Sequence, residues 1–201
     1  MSGRLKVLLK FAGGALFTAV GCVCSALAGA SARLWVPLIA GLLAGVAGDF
    51  LLAIKNIDEK KHETALFLGG MAAFFAGHIA YIFYYCAIDG HGWPVPLVAA
   101  ASAALFVVIT YKALRFSYGG LLAPCAIYSF AVVYSFAAAA AAAVSVAGIV
   151  AAVGAGLFLF SDIILAFYIF SPAKNIRPLG AVNLAVYFSA QTLIALSILF
   201  I

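Results

Sequence analysis

Ionisable side chains are what this chain has least of. Only 8% of its 201 residues are charged, against 68% hydrophobic. That balance excludes a soluble domain, which needs a polar surface to face water. There is also no basic surface with interleaved aromatics, so nucleic acid is excluded as a partner. Histidine is scarce, and of the three, His62 and His91 fall in polar connecting stretches. With His78 alone in an apolar run, a membrane zinc site lacks ligands, and no metal or other cofactor is expected. The four cysteines, Cys22, Cys24, Cys86 and Cys125, all lie in apolar runs. They read as small core residues and not as a disulfide framework, and Cys22 and Cys24 would point to different sides of a helix. The nucleophile elbow G-x-S-x-G and the metalloprotease helix H-E-x-x-H are both missing.

What the chain does have is a series of apolar runs about 20 residues long, the length of a helical bilayer span. The expected fold is all-α: a polytopic transmembrane bundle of seven helices, forming one domain over 1–201. Helices are predicted near 6–28, 34–54, 64–88, 95–114, 120–143, 147–170 and 178–200. Short polar connections such as GASAR, KNIDEKKH, DGHGWPVP and SPAKNIRP separate them. The fifth boundary, inside an alanine-rich stretch, has the weakest signal, with only Ser145 and Gly148 to suggest a turn. The basic start and small residues of the N-terminal stretch have the look of a signal peptide, but its apolar run is long enough to be a retained first helix. Gly41, Gly45 and Gly48 give the second helix a small face for close packing.

The basic residues set the orientation. Ten of the eleven Lys and Arg fall in the N-terminus and the second, fourth and sixth connections, and Arg33 alone falls in the others. The positive-inside rule then places the N-terminus in the cytoplasm and the C-terminus outside. A bacterial cytoplasmic membrane is the expected location.

Two of the six acidic residues, Asp49 and Asp162, lie inside these runs. A carboxylate in hydrocarbon costs several kcal/mol unless it is paired, hydrated or protonated, so an intramembrane acid is by default a candidate for function. No span interior carries a Lys or Arg, Lys10 near the start of the first helix being the only exception. The topology puts both acids in the cytoplasmic half. His78 and Tyr81 share one helical face, as do Tyr187 and Gln191, and Tyr128 sits mid-helix at a similar level. Ser161 is read as bonding its own backbone. Asp49 and Asp162 are therefore the candidate catalytic pair. His78, Tyr81, Tyr128, Tyr187 and Gln191 are the candidates for positioning substrate and water. The set suits general acid/base chemistry with water, in which one carboxyl is protonated and the other ionised. A proton-coupled transporter or a lipid-binding membrane protein could use the same acids.

The ordered segments AGVAGDFLLAI, FLGGMAAFFAGHIAYIFYY, APCAIYSFAVVY, GAGLFLFSDIILAFYIF and AVYFSAQTLIALSI extend over nearly the whole chain. In that order they resemble the lysoplasmalogenase family, the YhhN-like integral membrane hydrolases. The family's Lys-Pro stands here as Lys10-Phe11, so the resemblance gives Lys10 no role. The resemblance implies hydrolysis of the vinyl ether bond of lysoplasmalogens. The products would be a fatty aldehyde and a glycerophospho-ethanolamine or -choline. It further implies a lysophospholipid substrate, which could enter laterally from the surrounding bilayer, and its chemistry agrees with the acid/base reading of Asp49 and Asp162.

Overall fold

The computed structural model describes residues 3–55, 62–172 and 177–201. Those residues form seven long helices: α1 (Gly3–Leu27), α2 (Ala32–Lys55), α3 (Glu63–Ile88), α4 (Pro94–Val108), α5 (Leu122–Ala141), α6 (Val146–Phe170) and α7 (Arg177–Ser197). Each belongs to a segment long and apolar enough to cross a bilayer, α4 together with the helical turn that continues it to Ala113. No strand occurs among the described residues. The expectation of seven apolar spans in an all-helical chain holds, and the protein is an integral membrane protein. Residues 56–61 and 173–176, which include Lys60, Lys61 and Lys174 of the charge count, lie outside the described residues.

Local chemistry explains the helix ends. Gly29, at φ +59, takes the left-handed conformation that closes α1. Pro94 sits at the first position of α4, where its missing N–H leaves no bond unmade. At the weakly signalled fifth connection, Ser145 is a true N-cap, its hydroxyl accepting from the Gly148 N–H at 3.1 Å. α4 runs on through a π-helical turn, Ile109–Ala113, held by a polar pin in which the Tyr118 hydroxyl donates to Thr110 Oγ1 at 2.7 Å. Beyond that turn the Ser117 N–H donates to the Phe170 carbonyl at 2.9 Å. This bond ties the α4–α5 connection to the end of α6, so both lie at one end of the bundle.

Small residues bring the helices together, as expected where lipid supplies no hydrophobic drive between them. α2 packs along α3, and α6 along α7. A Cβ on Gly154 of α6 would stand 3.0 Å from the Ile194 N–H nitrogen of α7, so that pair meets nearly backbone to backbone. α5 bridges the two halves by packing on α3, α4 and α6. Apolar side chains such as Leu16, Phe83, Leu105 and Ile127 are exposed on the outside, as a lipid-facing surface requires.

Candidate active site

Asp49 and Asp162 line the same cavity, an apolar space of about 440 Å³ inside the bundle. α2 supplies Asp49 and α6 supplies Asp162. Tyr128 of α5 and Tyr187 of α7 complete the polar part of its wall, with Ser161 and Asn183 beside them. Elsewhere the wall is apolar, made by residues such as Phe74, Val98, Val133, Phe136 and Ile169.

Asp49 is buried, 4% exposed, and it has a basic partner. Lys10 Nζ of α1 donates to its Oδ1 at 3.1 Å. The one exception allowed by the sequence, Lys10, is thus realised as the partner of Asp49. No local signal selects this pairing, because Lys10 is an ordinary start-of-helix lysine until α1 is laid against α2. Asp49 Oδ2 makes no hydrogen bond. The Tyr187 hydroxyl interacts with the same carboxyl group and is itself fixed from behind. Gln191 Nε2 donates to it at 3.1 Å, and the Tyr81 hydroxyl donates to Gln191 Oε1 at 2.5 Å.

The second acid has different company. The Tyr128 hydroxyl donates to Asp162 Oδ2 at 2.9 Å. His78 Nε2 lies 3.8 Å from the same oxygen, beyond hydrogen-bond reach. The His78 ring rests on Phe158 at 4.5 Å between centroids, and neither of its nitrogens has a hydrogen-bond partner. Of the seven candidates, then, Asp49, Asp162, Tyr128 and Tyr187 face the cavity. His78, Tyr81 and Gln191 are buried behind that wall and touch it through their neighbours.

Two features escaped the sequence reading. Ser161 does not bond its own backbone in place of a partner. Instead, Asn183 Nδ2 donates to the Ser161 carbonyl at 2.7 Å and to its hydroxyl at 3.0 Å, clamping α7 to α6 one residue from Asp162. A single Asn on a helix carries no signal for such a clamp, because its partner lies on another helix. The second feature is the use made of the glycine stripe on α2. A Cβ on Gly45 would lie 2.5 Å from Gln191 Nε2 and 3.2 Å from the Tyr187 hydroxyl, and one on Gly48 would lie 2.6 Å from the Phe74 ring. Gly41 makes the same room for Tyr81. The stripe therefore serves more than helix contact: it lodges the amide and aromatic groups that hold the site.

Two carboxyl groups, one ion-paired and one met by a neutral hydroxyl, thus share an apolar chamber. Such an arrangement can donate a proton, take one back and stabilise a cation between them. Among the described residues no cluster of three or more His, Cys, Asp or Glu side chains could hold a metal ion.

No curated protein and no solved structure matches the chain. The family model for the YhhN family matches residues 5–198, a span that takes in every residue of the cavity described above. This chain belongs to the YhhN family, the family of lysoplasmalogenases.

Proposed function

We propose that this protein hydrolyses the vinyl ether bond of lysoplasmalogens. The observation that carries the reading is the placement of Asp49 and Asp162 on one apolar cavity. Family membership is consistent with a hydrolase. Vinyl ether hydrolysis begins when an acid protonates the enol carbon, which leaves an oxocarbenium ion. A carboxylate beside that cation stabilises it and accepts a proton from the attacking water. A hemiacetal results, and it collapses to the aldehyde and the glycerol hydroxyl.

The cavity suits a single-chain amphiphile. Its apolar wall runs from Phe170 and Tyr118 at one end toward Val98 and Ala137, nearer the other end of the bundle. α4 and α6 both pack on α5, and the cavity lies between them, so the chain can slide in from the bilayer. The acids lie toward the end where Lys112 and Arg115 are exposed, and these cations can hold the phosphate. That end is cytoplasmic by the bias of Lys and Arg, in a bacterial cytoplasmic membrane.

Purified protein in detergent, given a vinyl ether lysolipid, should release fatty aldehyde. The saturated alkyl ether analogue should stay intact, because it has no carbon to protonate. If no aldehyde forms across a range of pH, the hydrolase reading fails and the acids serve binding or transport.

Orientation is checked separately. In a background with the four cysteines changed to alanine, an impermeant thiol reagent applied from outside should label Gly92→Cys and spare Ser117→Cys. Both positions are exposed, and they lie at opposite ends of the bundle. The reverse pattern would invert the topology and move the site to the outer half.

A further inference from the structure

The two acids have unequal surroundings. Asp49 faces an ammonium group, Lys10 of α1, together with Tyr187 of α7. Asp162 faces His78 of α3 and Tyr128 of α5, and among the described residues no Lys or Arg reaches it. His78 is 2% exposed, with both ring nitrogens unpartnered. Among the described residues, Lys10 is the one Lys or Arg that reaches either of the two carboxyl groups in this apolar chamber. The least costly arrangement there pairs Lys10 with one ionised acid and leaves the other protonated. Tyr128 donates to Oδ2 of Asp162, so Oδ1 is the oxygen left to carry the proton.

We propose that Lys10 divides the labour of the two acids: it holds Asp49 as the ionised carboxylate, which makes Asp162 the proton donor of the vinyl ether reaction. Lys10 is thus a positioning residue acting through Asp49, and the assignment of steps rests on the function proposed above. In the first step Asp162 gives its proton to the alkenyl carbon one removed from the ether carbon. The π pair forms the new C–H bond, and an oxygen lone pair completes the oxocarbenium ion. Water then adds to the ether carbon and passes a proton to Asp49. In the last step the Asp162 carboxylate takes the hemiacetal hydroxyl proton, the C–O bond to glycerol breaks, and Asp49 returns its proton to the departing oxygen. One water is consumed, and both acids end in the state in which they began.

Infrared difference spectra of the purified full-length chain in lipid nanodiscs at neutral pH test the assignment directly. Asp49→Asn should remove a carboxylate band, and Asp162→Asn should remove the carbonyl band of a protonated acid. Lys10→Met should add a second protonated-acid band that vanishes in the double variant with Asp49→Asn, while Lys10→Arg keeps the wild-type spectrum. If Asp162→Asn removes a carboxylate band, or Asp49→Asn the protonated-acid band, the assignment is overturned. The two Asn variants decide this even if Lys10→Met fails to fold. These spectra read protonation without turnover, so a protein that releases no aldehyde would sink the vinyl ether reading and still leave Lys10 judged. Where aldehyde is released, Lys10→Met should shift the acid limb of the pH–rate profile upward by about one unit or more, with Lys10→Arg restoring it. A variant that merely scaled the rate at every pH would show Lys10 to be structural and end its positioning role.

Discussion

Asp49→Asn and Asp162→Asn should each cut aldehyde release by about a thousand-fold or more, the size expected when a general acid or base is removed. Either substitution keeps the shape of the side chain and loses its ability to exchange a proton. The structural consequences differ. At position 162 the amide oxygen can still accept from the Tyr128 hydroxyl, so the fold should be unaffected. At position 49 the substitution removes the counter-charge of Lys10. A stranded ammonium of this kind costs about 1–3 kcal/mol when it stays buried, and less when the side chain can extend to water. Lys10 keeps 26% side-chain exposure, so the loss of stability should be small and the loss of rate large. Initial rates of aldehyde release, with size-exclusion profiles to confirm folded protein, check both. Wild-type turnover in either variant removes that acid from the mechanism.

The largest structural effect is expected at Gly148. The close of α5 and the start of α6 are so tightly joined there that a Cβ would overlap the Ala142 carbonyl oxygen. That oxygen belongs to backbone, which cannot turn aside as a side chain can. The Gly148 N–H is also the donor that satisfies the Ser145 cap. Gly148→Ala should therefore destabilise the protein by about 3 kcal/mol or more, through overpacking and loss of the cap. Gly120→Ala is the control, since nothing lies within 4 Å of a Cβ there, and it should change stability by less than about 0.5 kcal/mol. Denaturation of the two variants beside wild type measures the difference. Equal stabilities would mean that the α5–α6 connection can relax without cost.

The spans were legible because a membrane imposes its requirement on every residue of a crossing. A run of apolar residues of bilayer length has one stable solution, a helix with its backbone bonds closed internally. That is why all seven helices could be read, even the one begun at Ser145 with little turn signal. Asp49 and Asp162 stood out for the same reason, since an acid in such a run is expensive wherever the helix packs. Helical spacing also paired Tyr187 with Gln191 on one face, and the two are hydrogen-bonded to each other.

Which helices would meet was not written in any single segment. The Lys10–Asp49 pair joins residues 39 apart, and Tyr81 reaches Gln191 across 110. Each contact depends on how two helices are rotated and offset against one another, a choice set by small residues and packing along the whole interface. Gly45 illustrates this: the sequence shows a small residue in a packing stripe, and only the packed bundle shows that its missing side chain is the space that Gln191 occupies. The sequence by itself determined the spans, the family and the two acids, because solvation by lipid acts locally. The tertiary structure alone decided that Lys10 pairs with Asp49 while Tyr128 donates to Asp162, because charge pairing and hydrogen bonding act across the distances that only folding closes.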